Sequence, residues 1–164
     1  MIVGRLTISD RASQGLYEDL GGPAIEKALQ ETLGGDIRFV ASMVPDETDR
    51  IIQELCRFTD ELKCHLVVTT GGTGISPRDL TPEATRRILQ KELPGFGEIM
   101  RLHFFATIPT SILSRAVAGT RGESLIINLP GKPSAVRECL SILAPAIREG
   151  LDHLRGLDPH RGAS

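Results

Sequence analysis

Runs of apolar, β-branched residues alternate along the chain with stretches in which apolar residues recur every three or four positions, the order expected of an α/β fold. The first run, Ile2-Val3-Gly4-Arg5-Leu6-Thr7-Ile8, predicts a strand over 2–9 with an arginine inside it, followed by a polar loop over 10–21. Pro23 stands where a first helix begins; Ala24, Ile25, Ala28, Leu29 and Leu33 form its apolar stripe, and Gly34-Gly35 ends it. Residues 36–44 read as a second, less pure strand. After Pro45 the spacing of Ile51, Ile52, Leu55, Cys56, Thr59 and Leu62 predicts a second helix that sends this face, Cys56 included, into the core. The unbroken run over 65–70 is the mark of a strand covered on both faces. A loop over 71–80 leads to a third helix, with Thr81 as N-cap and Pro82 at the first helical position.

The segment 93–114 carries many apolar residues without clean periodicity and predicts irregular helix broken by Pro94, Gly95, Gly97 and Pro109. Residues 115–119 and 124–129 read as two strands joined at 120–123, an antiparallel addition to the sheet. A last helix follows Pro133, with Val136, Cys139, Leu140, Leu143, Ile147, Leu151 and Leu154 as its buried stripe. These elements make a single three-layer α/β domain over 1–157: a mostly parallel central sheet with an antiparallel hairpin added, and helices on both faces. Residues 158–164 read as a frayed polar tail.

Composition narrows the function. The 164 residues hold 19 basic and 21 acidic side chains, a formal charge of −2 that argues against a nucleic-acid footprint. One Tyr, no Trp and five Phe leave too few rings for a platform that stacks successive bases. Cys56, Cys64 and Cys139 are odd in number and far apart, which points to buried thiols in a reducing compartment rather than disulfides or a zinc site. No charged segment leads a long apolar stretch, and no apolar run reaches membrane-spanning length, so a cytoplasmic, membrane-free protein is expected. His65, His103, His153 and His160 show no ligand spacing.

In an open α/β sheet, ligands bind beyond the carboxyl ends of the strands, so the residues after each strand are the candidates. After the third strand come Thr70, Gly71, Gly72, Thr73, Gly74, Ser76, Arg78 and Asp79. Three glycines in four positions can free backbone N–H groups to converge on an anion, although the same composition also makes an ordinary turn. The pattern is neither a Walker A loop nor a dinucleotide fingerprint. With Thr81 as the cap, Asp79 is left as a carboxylate beside a phosphate cradle, where a Mg²⁺ ligand would be wanted. After the first strand come Ser9, Asp10, Arg11 and Ser13, a polar cluster or a solvated turn. After the second comes Asp46, a candidate cap for the second helix and a candidate site residue at once. Asn128, Pro130 and Gly131 close the last strand ahead of a helix N-terminus, where anions are favoured. Four such loops suggest a nucleotide-and-metal site.

The string Thr69-Thr70-Gly71-Gly72-Thr73-Gly74, with Pro77-Arg78-Asp79 and Thr81-Pro82-Glu83-Ala84-Thr85, is similar to the signature of molybdopterin-binding domains. Ile8 through Ser13 with Gly15 and Asp19, Pro45-Asp46-Glu47, Pro94 through Glu98, Leu113-Ser114-Arg115 and Asn128 through Gly131 resemble the Mog branch of that family. The resemblance implies a homotrimer that binds molybdopterin and Mg-ATP and transfers AMP to the pterin's terminal phosphate. It implies Asp46 and Asp79 as catalytic residues and Mg²⁺ ligands. It further implies Ser9, Asp10, Ser13, Thr70, Gly71, Gly72, Thr73, Gly74, Ser76, Arg78, Asn128, Pro130 and Gly131 as nucleotide and molybdopterin contacts, and a downstream metal-insertion protein as a partner. Lys132 departs from the amide that many relatives carry there; a cation at this place can favour the molybdopterin or ATP phosphates or simply face solvent, and the solvent-facing place is preferred. Arg78 can bind phosphate or pair with Asp79. Phe96, Leu102, Phe104, Phe105, Ile108 and Ile112 are the expected subunit contact. The rival reading is a carrier of the same fold that binds the pterin without catalysis; retention of both Asp46 and Asp79 counts against it.

Overall fold

The computed structural model describes residues 1–157; the tail expected over 158–164 lies outside them. Six strands form one sheet in the order β2-β1-β3-β6-β5-β4. β1 (Ile2–Ile8), β2 (Arg38–Val44), β3 (Leu66–Thr70) and β6 (Ser124–Leu129) run parallel, while β5 (Ala118–Arg121) and the two-residue β4 (Lys91–Glu92) complete the sheet antiparallel. This is the expected three-layer α/β arrangement.

Side-chain alternation along the strands builds the two layers. Val3, Leu66, Val68, Leu125, Ile127 and Leu129 pack under α2 (Gly21–Leu33) and α6 (Pro133–Leu154). Leu6, Ile8, Val67 and Ile126 face the other way, toward Ile51 and Leu55 of α3 (Thr48–Cys56) and Ala84 of α4 (Thr81–Arg86). Phe58 joins this second core from the π-helical turn Arg57–Glu61 that prolongs α3. Cys56 lies half-buried at its margin, so the thiol that belongs to the interior here is Cys64. Among the described residues no helix is long and apolar enough to cross a membrane.

Several local expectations need correction. The segment expected to be broken is a continuous helix, α5 (Pro94–Phe105), followed by a 3-10 turn Pro109–Leu113. Pro94 sits at the helix start, where no N–H is required, and Gly97 lets α5 approach the Ala116 carbonyl, which a β-carbon would strike. β5 starts at Ala118 rather than 115, because the main chain of Arg115 is occupied elsewhere, donating its N–H to the Thr73 carbonyl at 2.9 Å. Thr81 is the first residue of α4, and its hydroxyl donates to the Gly71 carbonyl at 2.9 Å instead of capping the helix. The cap position of α3 is held by Glu47, without a side-chain bond, so Asp46 is not a helix cap. The loop expected over 10–21 opens with one helical turn, α1 (Asp10–Ser13), capped by Ser9 Oγ, which accepts the Ala12 N–H at 3.2 Å.

Candidate functional site

The parallel strands end at one edge, and the predicted residues Ser9, Asp10, Asp46, Gly71 and Pro130 emerge there side by side because β2, β1, β3 and β6 are neighbours in register. Between this edge and the helices α2 and α6 lies a cleft of about 360 Å³. Ser9, Thr70, Gly71 and Gly131 line it, as does Lys132. The N-termini of α2 and α6 both open onto it through Leu20-Gly21 and Lys132-Pro133, and neither N-cap residue bonds through its side chain. Asp19 already occupies the start of α2, accepting the Gly22 N–H at 2.9 Å, so the start of α6 and the glycine turn are the features facing the cavity that favour an anion. A second cavity of about 260 Å³, between α5, the 3-10 turn and α6, meets the cleft at Gly131 and Lys132.

Beside the cleft the glycine loop runs between two carboxylates. Gly71 and Gly72 have φ of +99° and +64°, a region that disfavours any β-carbon. The space is closed to one as well: at Gly71 it would strike the Ile8 carbonyl, and at Gly72 the Thr81 hydroxyl. A β-carbon at Gly72 would also lie 3.2 Å from Asp46 Oδ1, and one at Gly74 would lie 2.8 Å from Asp79 Oδ2. Asp46 and Asp79 therefore flank the loop, each with an oxygen toward it.

One oxygen of each aspartate is committed. Asp46 Oδ2 accepts the Asp10 N–H at 2.8 Å, and Asp79 Oδ2 accepts the Ser76 N–H at 2.8 Å. Asp10 in turn accepts the Asp46 N–H at 3.0 Å and takes both arms of Arg78, at 2.7 and 2.9 Å. Arg78 thus pairs with an acid, but the acid is Asp10 rather than its neighbour Asp79. These bonds, Arg78 first, hold the Asp10 carboxyl below its ordinary value. Asp46 moves the opposite way: burial pushes its carboxyl up, the negative charges of Asp10 and Asp79 add to that, and the Asp10 N–H and Arg78 work against it.

Two predicted residues are not brought into this group. Asn128 is in phase with Ile126 along β6, so its side chain enters the α4 layer. There its amide donates to Thr69 and Thr85 hydroxyls at 3.0 Å each and is fully buried, leaving nothing for a ligand. Ser13 spends its hydroxyl on the Asp10 carbonyl at 2.9 Å within α1. Thr70 is buried and donates to the Pro130 carbonyl at 2.8 Å, tying the glycine turn to the Pro130–Gly131 turn.

Sequence reasoning missed Arg115, Tyr17 and Gly21, whereas Lys132 is exposed, as expected, and also lines the cleft. Arg115 Nε donates to the Gly74 carbonyl at 2.7 Å and Nη2 to the Asp79 carbonyl at 2.6 Å, while Nη1 pairs with Glu83. One guanidinium so clamps the two ends of the loop that carries Ser76 and Arg78. Gly21 was visible as the opening of a Gly-Gly-Pro helix start at the ligand-binding edge; nothing in the sequence marks Arg115 as a clamp.

Among the described residues no group of three or more His, Cys, Asp or Glu side chains could hold a metal ion. Two carboxylates with free oxygens beside a phosphate-sized turn are, however, the donor set that Mg²⁺ takes when substrate phosphates complete its shell. Asp46 and Asp79 fit that ion.

A family model described as a probable molybdopterin binding domain matches residues 4–149. The molybdopterin adenylyltransferase of Helicobacter pylori is 53% identical over 154 residues, 94% of this chain and 88% of that protein. That of Escherichia coli is 49% identical over 141 residues, 84% of this chain and 71% of that protein. Among solved structures, the molybdopterin biosynthesis enzyme MoaB of Thermus thermophilus superposes with a TM-score of 0.86 at 42% identity, covering 94% of this chain and 96% of that one. The molybdopterin biosynthesis Mog protein of Mycobacterium ulcerans does so with a TM-score of 0.83 at 36% identity, covering 93% and 97%.

Proposed function

The chain belongs to the molybdopterin-binding domain family and is an adenylyltransferase of molybdenum-cofactor biosynthesis; we propose that it carries AMP from Mg-ATP to the terminal phosphate of molybdopterin in the cleft beside Gly71–Gly74. An oxygen of the pterin's phosphate attacks the α-phosphorus of ATP, the bond from that phosphorus to the bridging oxygen breaks, and pyrophosphate leaves. The observation that carries this placement is the pair of aspartates, Asp46 and Asp79, that flank a turn closed to β-carbons, each keeping its Oδ1 outside any hydrogen bond among the described residues.

The residues suit a transfer that depends on alignment and charge rather than on a covalent protein intermediate. The helix start at Pro133 and the glycine turn receive phosphate oxygens. Asp10 and Arg78, locked together, keep Asp46 oriented through the Asp10 N–H, and Arg115 holds Asp79's loop against Gly74. Asp46 and Asp79 would hold Mg²⁺, which when bound neutralises phosphate charge and orients the phosphate oxygens. Ser9 and Lys132 line the cleft that takes the phosphates. Asn128 acts as a support for the β3–β6 edge, and Ser13 as part of the α1 turn.

The protein works in the cytoplasm as a homotrimer, with a metal-insertion protein downstream. Exposed Ile99, Leu102, Phe105, Ile108, Ile112 and Leu113 along α5 and the 3-10 turn support the trimer as its apolar contact surface. Phe96 and Phe104 are partly buried against the chain's own core. The test of function is pyrophosphate release from Mg-ATP with and without molybdopterin. Release that requires the pterin is expected; release from ATP alone identifies a hydrolase, and no release with both substrates identifies a carrier.

A further inference from the structure

Tyr17 is the only tyrosine in the chain and, among the described residues, the only aromatic one lining the cleft. The residue is 63% exposed, and its apolar neighbours Leu16 and Leu20 are exposed as well. The segment that carries it is nevertheless fixed at both ends. On one side Gly15 and Leu16 donate their N–H groups to Ala12 and Arg11 carbonyls at 3.0 and 2.9 Å. On the other, Asp19 is held by Arg5 at 2.7 Å, by the Thr7 hydroxyl at 3.0 Å and by the Gly22 N–H at 2.9 Å. Two residues, Tyr17 and Glu18, span the gap between pinned points, so the ring is presented at the rim without being packed. The same cavity has its anion-favouring end at Gly71, Gly131 and the start of α6. It is the size of a small-molecule site, with phosphate chemistry at one side and a free aromatic face with Leu20 at the other.

We propose that Tyr17 is the stacking surface for a planar nitrogen heterocycle, the adenine of the nucleotide or the pterin of its acceptor. The inference rests on the cleft being the transfer site. A flat ring laid on Tyr17 and Leu20 removes apolar surface that is otherwise wet and lets the phosphates reach the glycine turn, an arrangement in which aromatic stacking adds to area burial.

The test is calorimetric titration of wild type, Tyr17→Leu and Tyr17→Phe with three probes: α,β-methylene-ATP with Mg²⁺, molybdopterin, and inorganic tripolyphosphate with Mg²⁺. Tyr17→Leu is expected to weaken a heterocyclic probe at least tenfold, with tripolyphosphate unchanged and Tyr17→Phe near wild type. Weakening of the ATP analogue assigns adenine to the ring, and weakening of molybdopterin assigns the pterin. Unchanged affinity for both, an equal loss of tripolyphosphate, or a loss in Tyr17→Phe as large as in Tyr17→Leu overturns the proposal. Pterin-dependent pyrophosphate release by wild type is read separately, so the stacking role can fail while the function stands.

Discussion

Asp46 and Asp10 exchange hydrogen bonds between main chain and carboxylate: the Asp10 N–H donates to Asp46 Oδ2 at 2.8 Å, and the Asp46 N–H donates to Asp10 Oδ1 at 3.0 Å. The exchange stitches the end of β1 to the end of β2 and fixes which oxygen of Asp46 remains free. Asp46→Ala removes an acceptor from a partly buried N–H and is expected to cost about 1 kcal/mol, while Asp46→Asn keeps an acceptor oxygen and costs less. Chemical denaturation of the two variants checks this; equal stability of Asp46→Ala and wild type would contradict it.

The pH profile should carry the same relationship. Burial raises the Asp46 pKa, so its ionised form, and with it kcat/KM, is lost as pH falls through a value above the ordinary 3.8. Asp10→Asn removes a like charge facing Asp46 and releases Arg78 from its partner, with Asp79 unchanged, and both effects lower the Asp46 pKa. The acid limb is expected to move to lower pH in Asp10→Asn, and an unmoved limb would mean that Asp46 does not set it. For stability the two groups run oppositely. The contribution of Asp46, raised, is complete below its unfolded value and is lost as pH rises through the folded value. That of Asp10, lowered, is present above its unfolded value and is lost as pH falls through the folded one.

Gly72→Ala meets two obstacles, a φ of +64° and the Thr81 hydroxyl. The expected result is a fall in Tm of at least about 2–4 °C, corresponding to a loss of ~1 kcal/mol at this chain length, together with at least tenfold weaker ATP binding. Gly95→Ala, in α5 where a β-carbon meets nothing within 4 Å, should lower neither. Normal melting and normal ATP affinity in Gly72→Ala would show the turn to be unconstrained.

Closed threefold assembly uses two different patches on each subunit, one of them here the apolar surface of α5 and the 3-10 turn. Light scattering at micromolar concentration should give a trimer mass, and Leu102→Glu combined with Ile112→Glu should give a monomer; Leu102 and Ile112 are 69% and 58% exposed, so the fold should persist. A monomeric wild type would remove this expectation.

The parallel strands were legible because strands buried on both faces write themselves as unbroken apolar runs, as over Leu66–Thr70. The glycine loop and its flanking aspartates were legible because chemistry was concentrated at strand ends. What failed depended on three-dimensional partners. Thr81 and Asp46 have the right identity for caps, yet each found a stronger bond across the fold, to Gly71 and Asp10. The orientation of Asn128 follows from strand parity, which places it with Ile126, but its partners Thr69 and Thr85 come from β3 and α4 and leave no local trace. The helical continuity of α5 was masked by Pro94, harmless at a helix start, and by Gly97, whose role is contact with Ala116.

The most direct test of the account is single-turnover formation of adenylylated molybdopterin by wild type, Asp46→Asn and Asp79→Asn at saturating Mg²⁺, with thermal melts alongside. Both variants are expected to melt near wild type and to bind molybdopterin, while transfer falls by roughly 100-fold or more, about 2.7 kcal/mol of transition-state stabilisation. Near-wild-type transfer by Asp79→Asn would contradict the assignment of the two carboxylates that flank the glycine loop as the catalytic pair.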